Sequence, residues 1–160
     1  MARFKIEDGK AILFEDTTEI FENEFERCEE LKSIEIPASV TKIGFGAFFN
    51  CTSLSSVKLS ENIYEIGMAQ FALCRSLKSI EIPETVKKIG NKAFYNCSAL
   101  SEIYPTDGTT ELGSSMFDLV NNNPIKVCII ANDNTAAKKY ADENKIKSKP
   151  FFQISGAAAH

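Results

Sequence analysis

One interval governs this chain. Phe25, Phe48, Phe71, Phe94 and Phe117 stand 23 residues apart, and Cys28, Cys51, Cys74 and Cys97 keep the same spacing three positions later. Leu31, Leu54, Leu77 and Leu100 follow, then Ile34, Val57, Ile80 and Ile103. Several columns of core-type residues on one short period are the signature of a solenoid. Each copy is one supersecondary unit that buries its apolar side only against its neighbours. The period therefore decides the fold class before any local propensity is consulted.

The second copy shows the plan of a repeat. Leu31-x-x-Ile34-x-Ile36 is a short strand with Ile34 and Ile36 inward and Ser33 and Glu35 outward, because strand side chains alternate. Pro37, and again Pro83, ends the strand, since proline has no N–H to donate. A second extended piece follows as Val40-x-x-Ile43-Gly44, returning as Ile63-x-x-Ile66-Gly67 and Val86-x-x-Ile89-Gly90, and partly at Ile20 and Leu112-Gly113. The glycine is expected at a backbone bend that a Cβ would hinder. Ala47-Phe48-x-x-Cys51 and Ala93-Phe94-x-x-Cys97 then read as a helical or 3-10 turn whose phenylalanine plugs the core.

The ends read differently. Phe4 to Glu7 and Lys10 to Leu13 alternate around Asp8-Gly9, a dipeptide suited to a type I′ hairpin turn. Pairing outward from that turn sets Phe4 opposite Leu13 and Ile6 opposite Ala11, so residues 1–13 form a cap on the open end of the array. Repeats occupy about 11–120. Beyond them the cysteine and leucine columns lapse at Val120 and Asn123, Asn121 to Pro124 is a loop, and a strand covers Ile125 to Ile130. Asn132, Asp133 and Asn134 offer N-caps for a helix over Thr135 to Glu143, which ends near Asn144 in a left-handed residue. Ala137, Tyr140 and Ala141 share its buried face. Residues 121–154 are thus a helix–strand cap closing with a strand from Ile146 to Ile154, residues 1–154 are one domain, and 155–160 read as a vector-derived tail.

The string Ile-Pro-x-x-Val-x-x-Ile-Gly-x-x-Ala-Phe-x-x-Cys-x-x-Leu-x-x-Ile resembles the repeat of the BspA-like (Treponema pallidum type) bacterial leucine-rich repeat family over about residues 11–120. The resemblance implies an α/β, right-handed leucine-rich-repeat solenoid, with a parallel β-sheet on the concave side and short strands and turns elsewhere. It also implies a place among microbial surface proteins, where adhesion and host-protein binding are the usual attributions. The chain departs from the pattern at Ser60, where proline is expected, at Met68-Ala69-Gln70, where the small residue before Phe71 is lost, and throughout 104–130.

Composition narrows the chemistry. A net charge of -4, with basic and acidic residues interspersed, argues against a nucleic-acid surface. No apolar run approaches the roughly 20 residues that span a bilayer, and the start, Met1 to Ile6, lacks a secretion-signal core. Surface location is therefore implied by the resemblance alone. Four of the five cysteines sit in repeat register, a packing pattern of reduced thiols rather than a zinc-site spacing. No cofactor or metal is expected. Gly44-Phe45-Gly46 lacks the strand, helix and lysine of a phosphate loop. Asn50-Cys51-Thr52 and Asn96-Cys97-Ser98 fit a glycosylation pattern that the repeat itself generates.

Two surfaces remain as candidate binding sites. The first is the outward strip of the strands: Ser33, Glu35, Ser56, Lys58, Ser79, Glu81, Glu102 and Tyr104, flanked by Lys10 and Ile12. It is mixed in charge and poor in the Trp, Tyr and Arg that dominate binding hot spots. The second is an apolar patch on the middle repeats, Phe45, Phe49, Met68, Leu73 and Tyr95, bordered by polar residues on the flanking copies. Three functions follow. The leading one is a non-enzymatic protein-interaction module for adhesion or recognition of a partner protein through the strip. The next is a structural or self-assembly module of a larger surface protein, acting through the patch. The most remote is glycan hydrolysis by Glu35 and Glu81, whose carboxylates two strands apart would lie ~10 Å from one another. Against that last reading, Lys58 stands between them, so Glu35, Lys58 and Glu81 read as a charge-alternating ladder.

Overall fold

Thirteen short strands and one helix build the described part of the chain, residues 3–104, 109, 111–117 and 127–150 of the computed structural model. The first hairpin is β1 (Phe4–Glu7) and β2 (Lys10–Leu13), paired Phe4 to Leu13 and Ile6 to Ala11, with Asp8 and Gly9 both at positive φ as a type I′ turn requires. As far as residue 112, each repeat then contributes one strand to each of two columns, and the two strands beyond it extend the first column alone. The first column holds β2, β4 (Ser33–Glu35), β6 (Ser56–Lys58), β8 (Ser79–Glu81), β10 (Glu102–Tyr104), β12 (Cys128–Ile130) and β13 (Lys147–Lys149). The second holds β3 (Glu19–Ile20), β5 (Lys42–Ile43), β7 (Glu65–Ile66), β9 (Lys88–Ile89) and β11 (Glu111–Leu112). Every pairing between repeats is parallel, and as far as β10 and β11 each steps by one period: Ser33 meets Ser56, Ile34 meets Val57, and Glu102 meets Ser79.

The phenylalanine column forms the axis of the core. Phe25, Phe48, Phe71 and Phe94 are at most 1% exposed, and successive rings stack almost parallel, with centroids 5.3, 5.2 and 5.8 Å apart. Such offset stacking adds to the large area each ring buries. Phe4 of the hairpin covers Phe25 at 4.3 Å, and Phe117 continues the stack beyond Phe94 at 6.1 Å. Beside it the thiols of Cys51, Cys74 and Cys97 each donate to the carbonyl of the phenylalanine one repeat earlier, at 2.9, 3.2 and 3.0 Å. Burial pushes the thiols of Cys51 and Cys97 up to about 12 and that of Cys74 higher still, which leaves them inert packing groups.

The turn segments are not continuous helical or 3-10 turns. Glu24, Glu26 and Cys28 donate back three residues, while the alternate N–H groups of Asn23, Phe25 and Arg27 reach across to Phe45, Ala47 and Phe49 of the next repeat. This alternation requires left-handed residues at fixed places. One column is Asn23, Gly46, Ala69, Lys92 and Ser115; the other is Arg27, Asn50, Leu73 and Asn96. Asparagine tolerates that conformation well, which accounts for the asparagines of both glycosylation-like triplets. The glycine column has a different cause from the bend expected of it. Gly44, Gly90 and Gly113 have ordinary φ, but a Cβ would fall 2.4, 2.6 and 2.4 Å from a backbone nitrogen of the preceding repeat. Phe21 occupies the same column in the first repeat, where no earlier strand of the second column precedes it.

At the far end α1 (Ala136–Glu143) packs against β11, β12 and β13, with Ala137, Tyr140 and Ala141 buried as the periodicity predicts. The Tyr140 hydroxyl accepts from the Met116 N–H at 3.2 Å. The caps differ from expectation. Thr135, not Asn132 to Asn134, is the N-cap, its hydroxyl accepting from the Lys138 N–H at 3.1 Å. Asn144 has φ -98, and the left-handed residue is Lys145. β12 and β13 lie within the strands expected at 125–130 and 146–154, whose outer residues 125, 126 and 151–154 lie outside the described residues, as do the loop at 121–124 and the columns at Val120 and Asn123.

Candidate functional site

The outward strip of the first column is assembled as the period requires. Ser33, Ser56, Ser79 and Glu102 occupy one register column and Glu35, Lys58, Glu81 and Tyr104 the next, each flanking an inward Ile34, Val57, Ile80 or Ile103. Glu35, Ser56, Lys58, Ser79 and Glu81 are exposed; Ser33, Glu102 and Tyr104 are half-buried. Lys58 donates to Glu35 at 2.9 Å, and this contact holds the Glu35 carboxyl below its usual range and raises the Lys58 ammonium. A general acid needs the opposite shift, so this environment does not suit Glu35 to the general-acid role in glycan hydrolysis. The expected ladder from Glu35 through Lys58 to Glu81 is closed on the Glu35 side, and β6 and β8, which carry Lys58 and Glu81, belong to different hydrogen-bonded sheets.

Tyr104 is the aromatic group of the strip. Its hydroxyl donates to Glu102 on the same strand, and that bond, together with partial burial, pushes the phenol up to about 12. Sequence reasoning missed how the strip continues. Pairing of Cys128 with Lys147 and Ile130 with Lys149 places two lysines at its C-terminal border, in the register columns of Glu102 and Tyr104. The signal was obscured because the 23-residue period fails between β10 and β12.

The apolar patch is partly assembled. Phe45 is 46% and Met68 52% exposed, at equivalent places in successive repeats, whereas Phe49, Leu73 and Tyr95 are half-buried. The second strand column carries an outward row that sequence reasoning also missed: Glu19, Lys42, Glu65, Lys88 and Glu111 alternate in sign without a break. Lys88 and Glu65 approach to 3.3 Å. The same 23-residue spacing would have revealed it. Two shallow depressions lie along this second column, about 260 Å³ beside Met68, Lys88 and Asn91, and about 350 Å³ beside Arg3, Phe14 and Phe21. Among the described residues no cluster of His, Cys, Asp and Glu could hold a metal, and no helix is long and apolar enough to cross a membrane.

Comparison with known proteins follows the same lines. A pattern described as the BspA type leucine rich repeat region matches residues 18–149 in six copies. A leucine rich cell surface protein from Faecalibacterium prausnitzii superposes with TM-score 0.74 at 32% identity, over 84% of this chain and 35% of that one. A leucine-rich repeat protein from Bacteroides capillosus superposes with TM-score 0.50 at 37% identity, over 65% of this chain and 72% of its own. The T. pallidum leucine rich repeat protein shares the fold, with TM-score 0.66 at 22% identity, over 80% and 67% of the two chains. No curated protein matches the chain. This chain spans about a third of the length of the Faecalibacterium protein. With the repeat pattern matching residues 18–149 in six copies, on a chain whose parallel strands and stacked phenylalanines recur at a fixed period, the chain belongs to the BspA-type leucine-rich repeat family.

Proposed function

We propose that this chain is a non-enzymatic protein-recognition module of a bacterial surface protein, and that it works through the outward strip of its first strand column. The observation that carries the reading is the contrast between the two sides of each strand. Inward positions hold Ile34, Val57, Ile80 and Ile103, all buried, while the outward pairs change from Ser33 and Glu35 to Ser56 and Lys58, then Ser79 and Glu81, then Glu102 and Tyr104. Packing dictates the first set and leaves the second free. Support for a surface location comes from the Faecalibacterium relative, described as a cell surface protein. Residues 1–154 act as one domain in this reading. The test is attachment of beads coated with the protein to a panel of extracellular-matrix proteins. Glu35→Ala with Lys58→Ala and Glu81→Ala is expected to abolish attachment to whichever member binds the wild type, and unchanged attachment removes the strip from consideration.

A second reading rests on Phe45 and Met68, two large apolar side chains about half exposed on adjacent repeats. Such a patch suits self-association or packing against a longer parent chain. Sedimentation of the wild type against Phe45→Ser with Phe49→Ser separates the readings, because a monomer in both samples leaves no role for the patch in self-assembly.

A further inference from the structure

Both strand columns are interrupted at the same level. The first divides into β1-β2-β4-β6 and β8-β10-β12-β13, and the second into β3-β5 and β7-β9-β11. Elsewhere the glycine N–H of one repeat bonds the isoleucine carbonyl of the repeat before: Gly44 to Ile20 at 2.8 Å, and Gly90 to Ile66 and Gly113 to Ile89 at 2.7 Å. Gly67 instead donates to the Oε1 of Gln70 at 2.5 Å. The bonds that Ile36, Thr41 and Ser55 make to the neighbouring repeat have no counterpart at Leu59, Tyr64 and Lys78. The gap is measurable: a Cβ built on Gly67 meets only the Gln70 Oε1, at 3.3 Å, where the other three glycines of the column would strike backbone.

The side chain responsible has a counterpart at the end of the array. Glu24, in the same column as Gln70, accepts the Phe21 N–H at 2.6 Å in the first repeat, where no strand of the second column precedes it. Gln70 thus performs inside the array the capping that Glu24 performs at its start. Size alone does not cause this, because Met116 fills the same column and leaves the Gly113 bond intact. What distinguishes Gln70 is an acceptor within reach of the glycine N–H. The side chain is 0% exposed and its Nε2 has no partner. The boundary stays closed at the turns, where Phe48 stacks on Phe71 and Asn50 donates to Ala72 at 2.8 Å, and Ser60 and Asn62 bridge the corner to Val40 and Ala38.

We propose that Gln70 makes the third repeat an internal starting rung, and that the boundary it creates is a compliant joint at which the block ending in β6 and the block beginning with β7 move as two bodies. The joint falls between Lys58 and Glu81, so it sets the relative angle of the two halves of the outward strip. It is a property of the scaffold and stands whether or not that strip binds a protein.

Amide hydrogen exchange on the intact chain tests it. After correction for intrinsic rates, Leu59, Tyr64 and Lys78 are expected to exchange roughly tenfold or more faster than their bonded equivalents Ile36, Thr41 and Ser55, because a local opening there breaks fewer bonds. Gln70→Ala, which installs the residue of two other repeats, and Gln70→Met, which copies the residue at Met116, are both expected to slow the three amides to the rates of those equivalents. Equal protection in the wild type overturns the joint. No slowing in either variant, or slowing in Gln70→Ala alone, overturns the role assigned to the Gln70 acceptor.

Discussion

Adding one methyl group to either of two equivalent glycines should have opposite consequences. In Gly90→Ala the new Cβ would lie 2.6 Å from the Met68 nitrogen and 2.8 Å from the Gly67 carbonyl carbon, both rigid backbone atoms. Restoring an ordinary contact of 3.4 Å moves the two repeats apart by about 0.8 Å. The Gly90 N–H bond to Ile66, now 2.7 Å, would then stretch beyond useful length. Losing that bond costs ~1 kcal/mol. The strained packing adds ~1–3 kcal/mol, and the lower chain entropy of unfolded alanine returns ~0.4–1 kcal/mol. The net expectation is a loss of about 1–4 kcal/mol. In Gly67→Ala the Cβ meets only the end of a side chain, Gln70 Oε1 at 3.3 Å, so the entropy gain dominates and the change is neutral to stabilising by up to ~1 kcal/mol. Urea titration followed by far-UV circular dichroism reads both. Separate probes in the two blocks check that unfolding stays cooperative, which repeat arrays do not guarantee. Equal losses in the two variants would refute the claim that the column's glycines are required by the approach of the preceding backbone.

The phenylalanine axis predicts that Phe71→Ala, emptying a site stacked on both sides, costs ~3–5 kcal/mol, and that Phe71→Leu costs well under half of that; thermal melts showing less than ~1 kcal/mol for the alanine variant would remove the stack from the core. Thiol labelling of the native protein at mildly alkaline pH should modify half-exposed Cys28 first and leave Cys51, Cys74 and Cys97 untouched until urea is added, since burial pushes their thiols far above that pH. Because the folded Glu35 carboxyl is depressed by Lys58, its contribution to stability is present above its ordinary value of 4.5 and fades as pH falls through the folded value. A cycle of Glu35→Gln and Lys58→Met should therefore show a coupling at neutral pH that disappears in acid, and a pH-independent coupling would contradict the ion pair. Phenolate absorbance should place the Tyr104 titration near 12 in the wild type, and Glu102→Gln should bring it down toward the ordinary value of 10 by removing the charged acceptor.

Period and alternation made the architecture legible from residues 4 to 104, because a solenoid repeats its packing problem and so repeats the answer. The hairpin register from Phe4 to Leu13 was readable from Asp8-Gly9, whose geometry fixes the pairing. Four kinds of feature were not legible. The left-handed positions carry residues as different as Arg27, Leu73 and Ser115, so geometry imposed by hydrogen bonds between repeats overrides local preference there. The glycine column was correctly located but given the wrong cause, since close approach between repeats is a property of two copies and no single copy displays it. Lys147 and Lys149 were hidden because register with β10 passes through β12, where the spacing changes. The residues of the candidate strip flank the inward positions of their strands, with Ser33, Glu102 and Tyr104 half-buried. What sequence could not supply was the interruption that divides it, because Gln70 announces itself only as a lost alanine.

The two outward rows also differ in what they ask of a partner. On the second column Glu19, Lys42, Glu65, Lys88 and Glu111 alternate through every repeat, which is what a device for holding strand register looks like: each charge faces an opposite one on the neighbouring strand. The first column begins the same way with Glu35 and Lys58 but abandons alternation beyond the interruption. There Glu81 is followed by Tyr104 rather than a cation, and Ser79 by Glu102, until Lys147 and Lys149 restore positive charge at the border. Register does not need that departure, because β8 and β10 are already paired through their backbones and through buried Ile80 and Ile103. An acidic stretch carrying one half-buried tyrosine and bordered by lysines is thus the part of the surface least explained by folding. Exposed charges of this kind govern encounter and orientation more than raw affinity. Under the proposed recognition role, attachment should therefore depend more on Glu81, Glu102 and Tyr104 than on the neutralised pair of Glu35 and Lys58. In the bead assay, Glu81→Ala with Glu102→Ala should accordingly lose more attachment than Glu35→Ala with Lys58→Ala, and the reverse order would place the recognition surface on the other side of the joint.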